Sequence, residues 1–201
     1  MDLWQYEREA LANGHAVVCG CDEAGAGPLA GPVYAAAVIF PVGVELPGLD
    51  DSKKLTEKRR EELFPLIQER ALSWAVAQVD ADEIDRTDIL SARLAAMQLA
   101  IDKLDCVPDY ALIDGNRDQG RCAAIITPHR CIVKGDGLSV SIAAASVLAK
   151  VSRDRYMREM DKLYPEYCFK QHKGYGTELH YDMIRSFGCS PIHRRSFLKR
   201  L

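Results

Sequence analysis

Three features of this sequence predict an α/β layered domain with a mixed β-sheet. Two Val- and Ile-rich apolar runs come first, residues 16–22 (AVVCGCD) and 33–40 (VYAAAVIF), with a Gly- and Pro-rich bend between them. Later short apolar runs alternate with stretches whose apolar residues recur every three or four positions. Acidic residues are fused to the ends of several of the apolar runs. Strands first, then strands alternating with helices, is the pattern of a sheet covered by helices.

Residues 16–22 and 33–40 read as buried strands joined by a tight connection. Thr56 caps a helix running to about Arg70, and Pro65, which lacks an N–H for the helical ladder, should bend or interrupt it. Residues 72–79 (LSWAVAQV) are a third strand. From Asp82 to Asp105, Leu90, Leu94, Met97, Ile101 and Leu104 fall at spacings of four and three, an amphipathic helix. Tyr110 to Ile113 is a short strand ending at Asp114-Gly115, and residues 129–134 form another ending at Gly135-Asp136-Gly137. An Ala-rich helix runs from Ser141 to about Tyr164, its small residues allowing close approach to a sheet. A last helix occupies Thr177 to Phe187, with Gly188 just past its end. Without repeats or linkers, residues 1–201 are expected to form one domain: a core of about 15–165 and a C-terminal segment, 166–201, that contacts substrate and ends in a basic tail.

With 48% hydrophobic and 27% charged residues, the chain has the material for a full core. No run of about 18 apolar residues exists, so no membrane span is expected. Met1 to Asn13 carries Asp2, Glu7, Arg8 and Glu9 and no apolar stretch, so no secretory signal is expected either, and the reading is cytoplasmic and monomeric. Seven cysteines without a C-x-x-C pair argue for reduced, structural thiols. Residues 1–149 hold 14 Lys and Arg against 23 Asp and Glu, whereas residues 150–201 hold 12 against 6. A basic C-terminal quarter suits a phosphate-bearing partner, although a solvated helical face explains it equally well.

The chemistry concentrates at strand ends. Asp22-Glu23 follow AVVCGC, Asp114 follows YALI and Asp136 follows CIVKG. A carboxylate after a buried strand sits at the sheet edge, where ligands bind in open α/β sheets. Any one of them is explained by turn chemistry, since Asp-Gly is a common turn pair; three such places together are not. If the strands are parallel neighbours, all four acids converge, and converging carboxylates need cations to stay ionised. Mg²⁺ or Mn²⁺ takes oxygen ligands, and two such ions suit hydrolysis of a phosphodiester by water. The segment Gly25-Ala26-Gly27 lets backbone N–H groups approach a ligand closely, and also serves as a connecting turn. Lys53 and Lys54 precede a helix N-terminus, a place that favours phosphate. Tyr175, between two glycines in QHKGYGT, can stack on a sugar or base.

At this point the sequence resembles type 2 ribonuclease H, in its bacterial ribonuclease HII branch. CGCDEAGAGPLAGPVYAAAV is similar to the opening motif of that family, and DSKKLT, LIDGN, VKGDGLSVSIAAASVLAKVSRDRYM and KQHKGYGT to its remaining blocks, in order over roughly residues 15–187. The resemblance implies a ribonuclease H-like mixed sheet flanked by helices, with a short C-terminal helical extension. It implies that Asp22, Glu23, Asp114 and Asp136 are the metal-binding catalytic acids, with Mg²⁺ or Mn²⁺. It implies that Gly25, Ala26 and Gly27 match a Gly-Arg-Gly loop which, with Tyr175, senses a ribose 2′-OH. The implied reaction nicks RNA/DNA hybrids, or duplex DNA with an embedded ribonucleotide, on the 5′ side of the ribonucleotide, leaving 3′-OH and 5′-phosphate ends. Ala26 departs from the family's Arg: a guanidinium contact to a phosphate or to a neighbouring acid is gone, and sensing survives if it runs through the loop backbone, so weakened binding or activity is one expected consequence. Two alternatives use the same features. A resolvase- or integrase-like core also has strand-end acids but no need for a ribose-reading tyrosine. A non-catalytic nucleic-acid-binding relative would be marked by loss of an acid, and all four are present.

Overall fold

The computed structural model describes residues 2–49 and 54–198. Helix α1 (Gln5–Ala12) leads into β1 (Val18–Ala24) and β2 (Val33–Ile39). Next come α2 (Glu57–Arg70), β3 (Ser73–Val79), α3 (Ala81–Arg86), α4 (Ile89–Asp102), β4 (Tyr110–Asp114) and β5 (His129–Ile132). The long α5 (Val140–Leu163) is followed by the single turn α6 (Phe169–His172) and by α7 (Glu178–Phe187). The sheet has five strands in the order β3-β2-β1-β4-β5; β1 is antiparallel to β2 and parallel to β4, and β5 runs parallel to β4. This is the mixed, helix-flanked sheet of the ribonuclease H-like fold.

Period-2 alternation divides β1 between two cores. Cys19 and Cys21 point into the layer formed with α4, through Leu94, Met97 and Ile101. On the other face Ala36 and Val38 of β2 meet Leu63, Phe64 and Ile67 of α2 and the alanines of α5. That contact is close: a Cβ on Gly20 would lie 2.3 Å from the backbone N of Ile142, so only glycine lets β1 and the start of α5 approach this far. Burial pushes the Cys19 thiol up to about 12 and Cys21 well above its ordinary value, so both behave as small apolar residues.

Three expectations need correction. The helix expected over 82–105 is two helices, because Asp88 turns its side chain back to accept from Ser91 N (2.9 Å) and starts a new one. Pro65 does not interrupt α2: Leu63, Phe64 and Ile67 on the core, and Glu57 and Glu61 paired with Arg158 and Arg155 of α5, hold it on both sides. Strand β5 ends at Ile132, since Lys134 takes a left-handed conformation (φ 59°). The N-terminal helix α1 was not anticipated. Its buried Glu7 accepts from Ser139 Oγ (2.5 Å) and from Ser141 N (3.1 Å), a carboxylate seated at the N-terminus of α5. No helix among the described residues is long and apolar enough to cross a membrane.

Candidate active site

The parallel pairing of β1 with β4 matches Cys21 with Ile113, so the next pair in register is Asp22 and Asp114. Both lie on the α5 face, since their odd-numbered neighbours Cys21 and Ile113 fill the α4 side. The third acid arrives on the Gly135–Gly137 turn that leads into α5: Asp114 Oδ1 accepts from Gly135 N (2.7 Å) and so orients the turn carrying Asp136. Carboxylate oxygens of Asp22, Asp114 and Asp136 all lie within 4.8 Å of one another. Burial, then the charges of Glu23 and Asp114, raises Asp22 well above the ordinary carboxylate range, against hydrogen bonds from Ser146 and from Glu23 N. An all-oxygen set this compact fits a hard divalent cation, whose charge would reverse that repulsion.

Of the four expected acids the structure therefore brings three together. Alternation sends Glu23 to the other face of β1, where Oε1 is 2.6 Å from Arg93 Nη2 of α4, although it still lines the cleft of about 380 Å³ above the acids. Gly25, Ala26, Gly27 and Tyr175 line the same cleft. A Cβ on Gly27 would be 4.0 Å from the Tyr175 ring, which places loop and tyrosine side by side. Lys54 is exposed in the turn before α2, and Lys53 lies outside the described residues. Arg60, Ser146 and Lys150 also line the cleft and were not singled out. Their signal was available: Ser146, Lys150 and Asp154 repeat every four residues along one stripe of α5, and Lys150 Nζ is 2.8 Å from Asp154. Arg153 and Arg194, both buried and bonded to loop carbonyls, had no sequence signal, because an arginine in a basic quarter reads as surface.

Behind Tyr175 three buried histidines form a neutral chain. His180 Nδ1 is 3.0 Å from Tyr175 O and His180 Nε2 is 3.0 Å from His193 Nε2, while His193 Nδ1 accepts from Ser190 N (2.9 Å). His172 stacks on His180 with centroids 4.2 Å apart. Burial pulls His180 and His193 down to about 4, from an ordinary 6.5. Between these values the unfolded chain binds protons that the folded chain refuses, so stability is full above pH 6.5 and falls as pH drops toward 4. Calorimetry should find Tm about 5 °C lower at pH 5 than at pH 7, and an equal Tm would contradict the neutral chain.

The ribonuclease HII family matches residues 19–200 of this chain. Ribonuclease HII of Geobacter sulfurreducens is 52% identical over 195 residues, covering 97% of this chain and 88% of that protein. Ribonuclease HII of Acetivibrio thermocellus is 51% identical over 199 residues, covering 99% and 76%. The crystal structure of ribonuclease H2 from Pyrococcus horikoshii OT3 is similar with TM-score 0.75 at 26% identity, covering 90% of this chain and 93% of that one. The ribonuclease HII fold solved in a complex with PCNA from Archaeoglobus fulgidus follows at TM-score 0.71 and 25% identity, covering 92% and 97%. A match along nearly the whole chain, joined to a compact all-oxygen carboxylate cluster at the edge of the sheet, shows that the protein belongs to the ribonuclease HII family and is a divalent-metal-dependent endoribonuclease that acts on nucleic acid.

Proposed function

We propose that the protein hydrolyses the phosphodiester on the 5′ side of a ribonucleotide, in RNA/DNA hybrids or in duplex DNA with a ribonucleotide embedded in it, leaving 3′-OH and 5′-phosphate ends. The carrying observation is that one cleft holds both an acidic cluster and the Gly25–Gly27 loop beside Tyr175, so that a ribose seated on the loop and ring has its neighbouring phosphate at the acids. Asp22, Asp114 and Asp136 hold the metal, and Glu23, poised by Arg93 at the cleft wall, completes the set. Mg²⁺ or Mn²⁺, two ions in this reading, would supply Lewis-acid activation of water and neutralise charge on the leaving oxygen. Lys150 and Arg60 bring positive charge to the cleft, and Lys53, Lys54 and the basic residues after Lys150, apart from the buried Arg153 and Arg194, meet the phosphates flanking it. The protein works as a cytoplasmic monomer of one domain, its core at about 15–165 and its segment 166–201 meeting substrate. The test is a labelled duplex carrying one ribonucleotide, with Mg²⁺, with Mn²⁺ and with chelator, beside an all-DNA duplex. Nicking only at the ribonucleotide and only with metal is expected; equal cutting of the all-DNA duplex would favour a resolvase-like enzyme.

Ala26 lines the cleft where the family resemblance puts Arg. A guanidinium there adds a charge-assisted phosphate contact, on the order of 1.5–3 kcal/mol before its ordering cost. Ala26→Arg should therefore raise kcat/KM on the single-ribonucleotide duplex by about tenfold. A drop in kcat/KM would mean that the loop has rearranged around alanine.

A further inference from the structure

Two buried guanidinium groups take up the carbonyl oxygens of the loop between β1 and β2. Arg194 is fully buried, and it donates from Nη2 to Gly25 O (2.6 Å), from Nη1 to Ala26 O and Pro28 O (both 2.9 Å), and from Nε to Gly31 O (2.9 Å). Arg153 donates to Ala30 O and Lys173 O (both 3.0 Å) and to Pro32 O (3.2 Å). Backbone bonds stitch the same segments together: Arg194 N to Leu29 O, Gly31 N to Ile192 O and Leu29 N to Gly174 O, each 2.8 Å. A buried arginine ordinarily faces a carboxylate. No ion pair links Arg194 to a carboxylate among the described residues; Asp85, the acid whose charge acts on it, has oxygens that accept instead from Arg195 N, Ser196 N and Ser196 Oγ. The fork of Arg194 is thus spent on backbone carbonyls of a single loop.

That arrangement fixes where the loop's N–H groups face. In a trans peptide the C=O of one residue and the N–H of the next point in opposite directions, and no peptide among the described residues is cis. With Gly25 O and Ala26 O turned onto Arg194, the N–H groups of Ala26 and Gly27 are turned away from it. Neither N–H has an acceptor among the described residues, and both residues line the cleft with Asp22, Asp114 and Tyr175. Successive N–H donors presented this way bind an oxygen-bearing ligand.

We propose that Arg194 is a positioning residue for ribose recognition: from behind the loop it sets two peptide planes so that the Ala26 and Gly27 N–H groups meet the 2′-OH and adjoining phosphate of a ribonucleotide. This rests on the function proposed above. It also explains how alanine serves at position 26, since recognition then passes through peptide planes and not through that side chain.

The test compares wild type, Arg194→Lys and Arg194→Met. Turnover is measured on the single-ribonucleotide duplex, and affinity for that duplex and for its all-DNA counterpart is measured in an Asp136→Asn background. Lysine keeps the charge but not the fork. Both variants should lose about 10–100-fold in kcat/KM, the cost of a misplaced contact, and the ribonucleotide-to-DNA affinity ratio should collapse while all-DNA affinity holds. A merely structural role would lower Tm and leave that ratio intact. Folded variants with the wild-type ratio and kcat/KM would overturn the assignment. If neither variant folds, NMR of the Asp136→Asn protein decides: the Ala26 and Gly27 amides should shift with the ribonucleotide duplex and not with all-DNA, and equal shifts would overturn it. A wild type that fails to nick at the ribonucleotide would instead remove the proposed function itself.

Discussion

Asp136→Asn and Asp114→Asn should each lower turnover by roughly 1000-fold, because metal-ion activation contributes several kcal/mol and each 1.36 kcal/mol is a factor of ten in rate. Neither loss should come from unfolding. Asn at position 114 keeps an oxygen to accept from Gly135 N, so the turn that carries Asp136 stays in place. The charge of Asp114 is also one of the causes that raise Asp22, so removing it relieves repulsion in the metal-free protein. Without metal, Tm of Asp114→Asn should equal or exceed that of wild type, and added Mn²⁺ should raise the wild-type Tm more than the variant's. Near-normal turnover of both variants at matched Mg²⁺ would remove these acids from the site.

Gly25→Ala should be the most damaging single-methyl change in the loop. Gly25 has φ +96°, where a side chain is strained, and its Cβ would sit 2.0 Å from Arg153 Nε. The clash falls on a guanidinium already committed to three carbonyls, so it cannot swing aside without breaking them. A loss of about 2–4 kcal/mol follows, or roughly 10 °C in Tm, along with nearly all activity. Gly27→Ala is the control: a Cβ there meets only the Tyr175 ring, at 4.0 Å, so Tm should stay within about 2 °C of wild type. A Gly25→Ala protein as stable as wild type would show that Arg153 does not pin the loop.

The sheet was legible because buried strands carry long apolar runs, and the acids were legible because aspartate is out of place at the end of such a run. What the runs do not show is which way each acid faces. Adjacent residues of a strand point to opposite sides, so Asp22 and Glu23 line the cleft from opposite faces of β1, and Glu23 pairs there with Arg93. Helix α1 was hidden because its N-terminal stretch is short and polar, and its purpose, Glu7 against Ser139 and Ser141, spans more than 130 positions of sequence. The arginines were hidden for a similar reason: Arg194 lies 169 residues from Gly25, the loop residue it holds, and no local pattern encodes that pairing.

Mapping the cut on a 5′-labelled duplex with one embedded ribonucleotide tests most directly whether water attacks the phosphate, as it would with a metal ion held by Asp22, Asp114 and Asp136. Alkali provides the reference, since it uses the ribose 2′-OH as nucleophile and breaks the strand on the 3′ side of the ribonucleotide. The enzyme's labelled product should be one nucleotide shorter than the alkali product and should end in a 3′-OH that a polymerase can extend. A product that comigrates with the alkali fragment and resists extension would contradict the account, because the 2′-OH would then be attacking rather than being read.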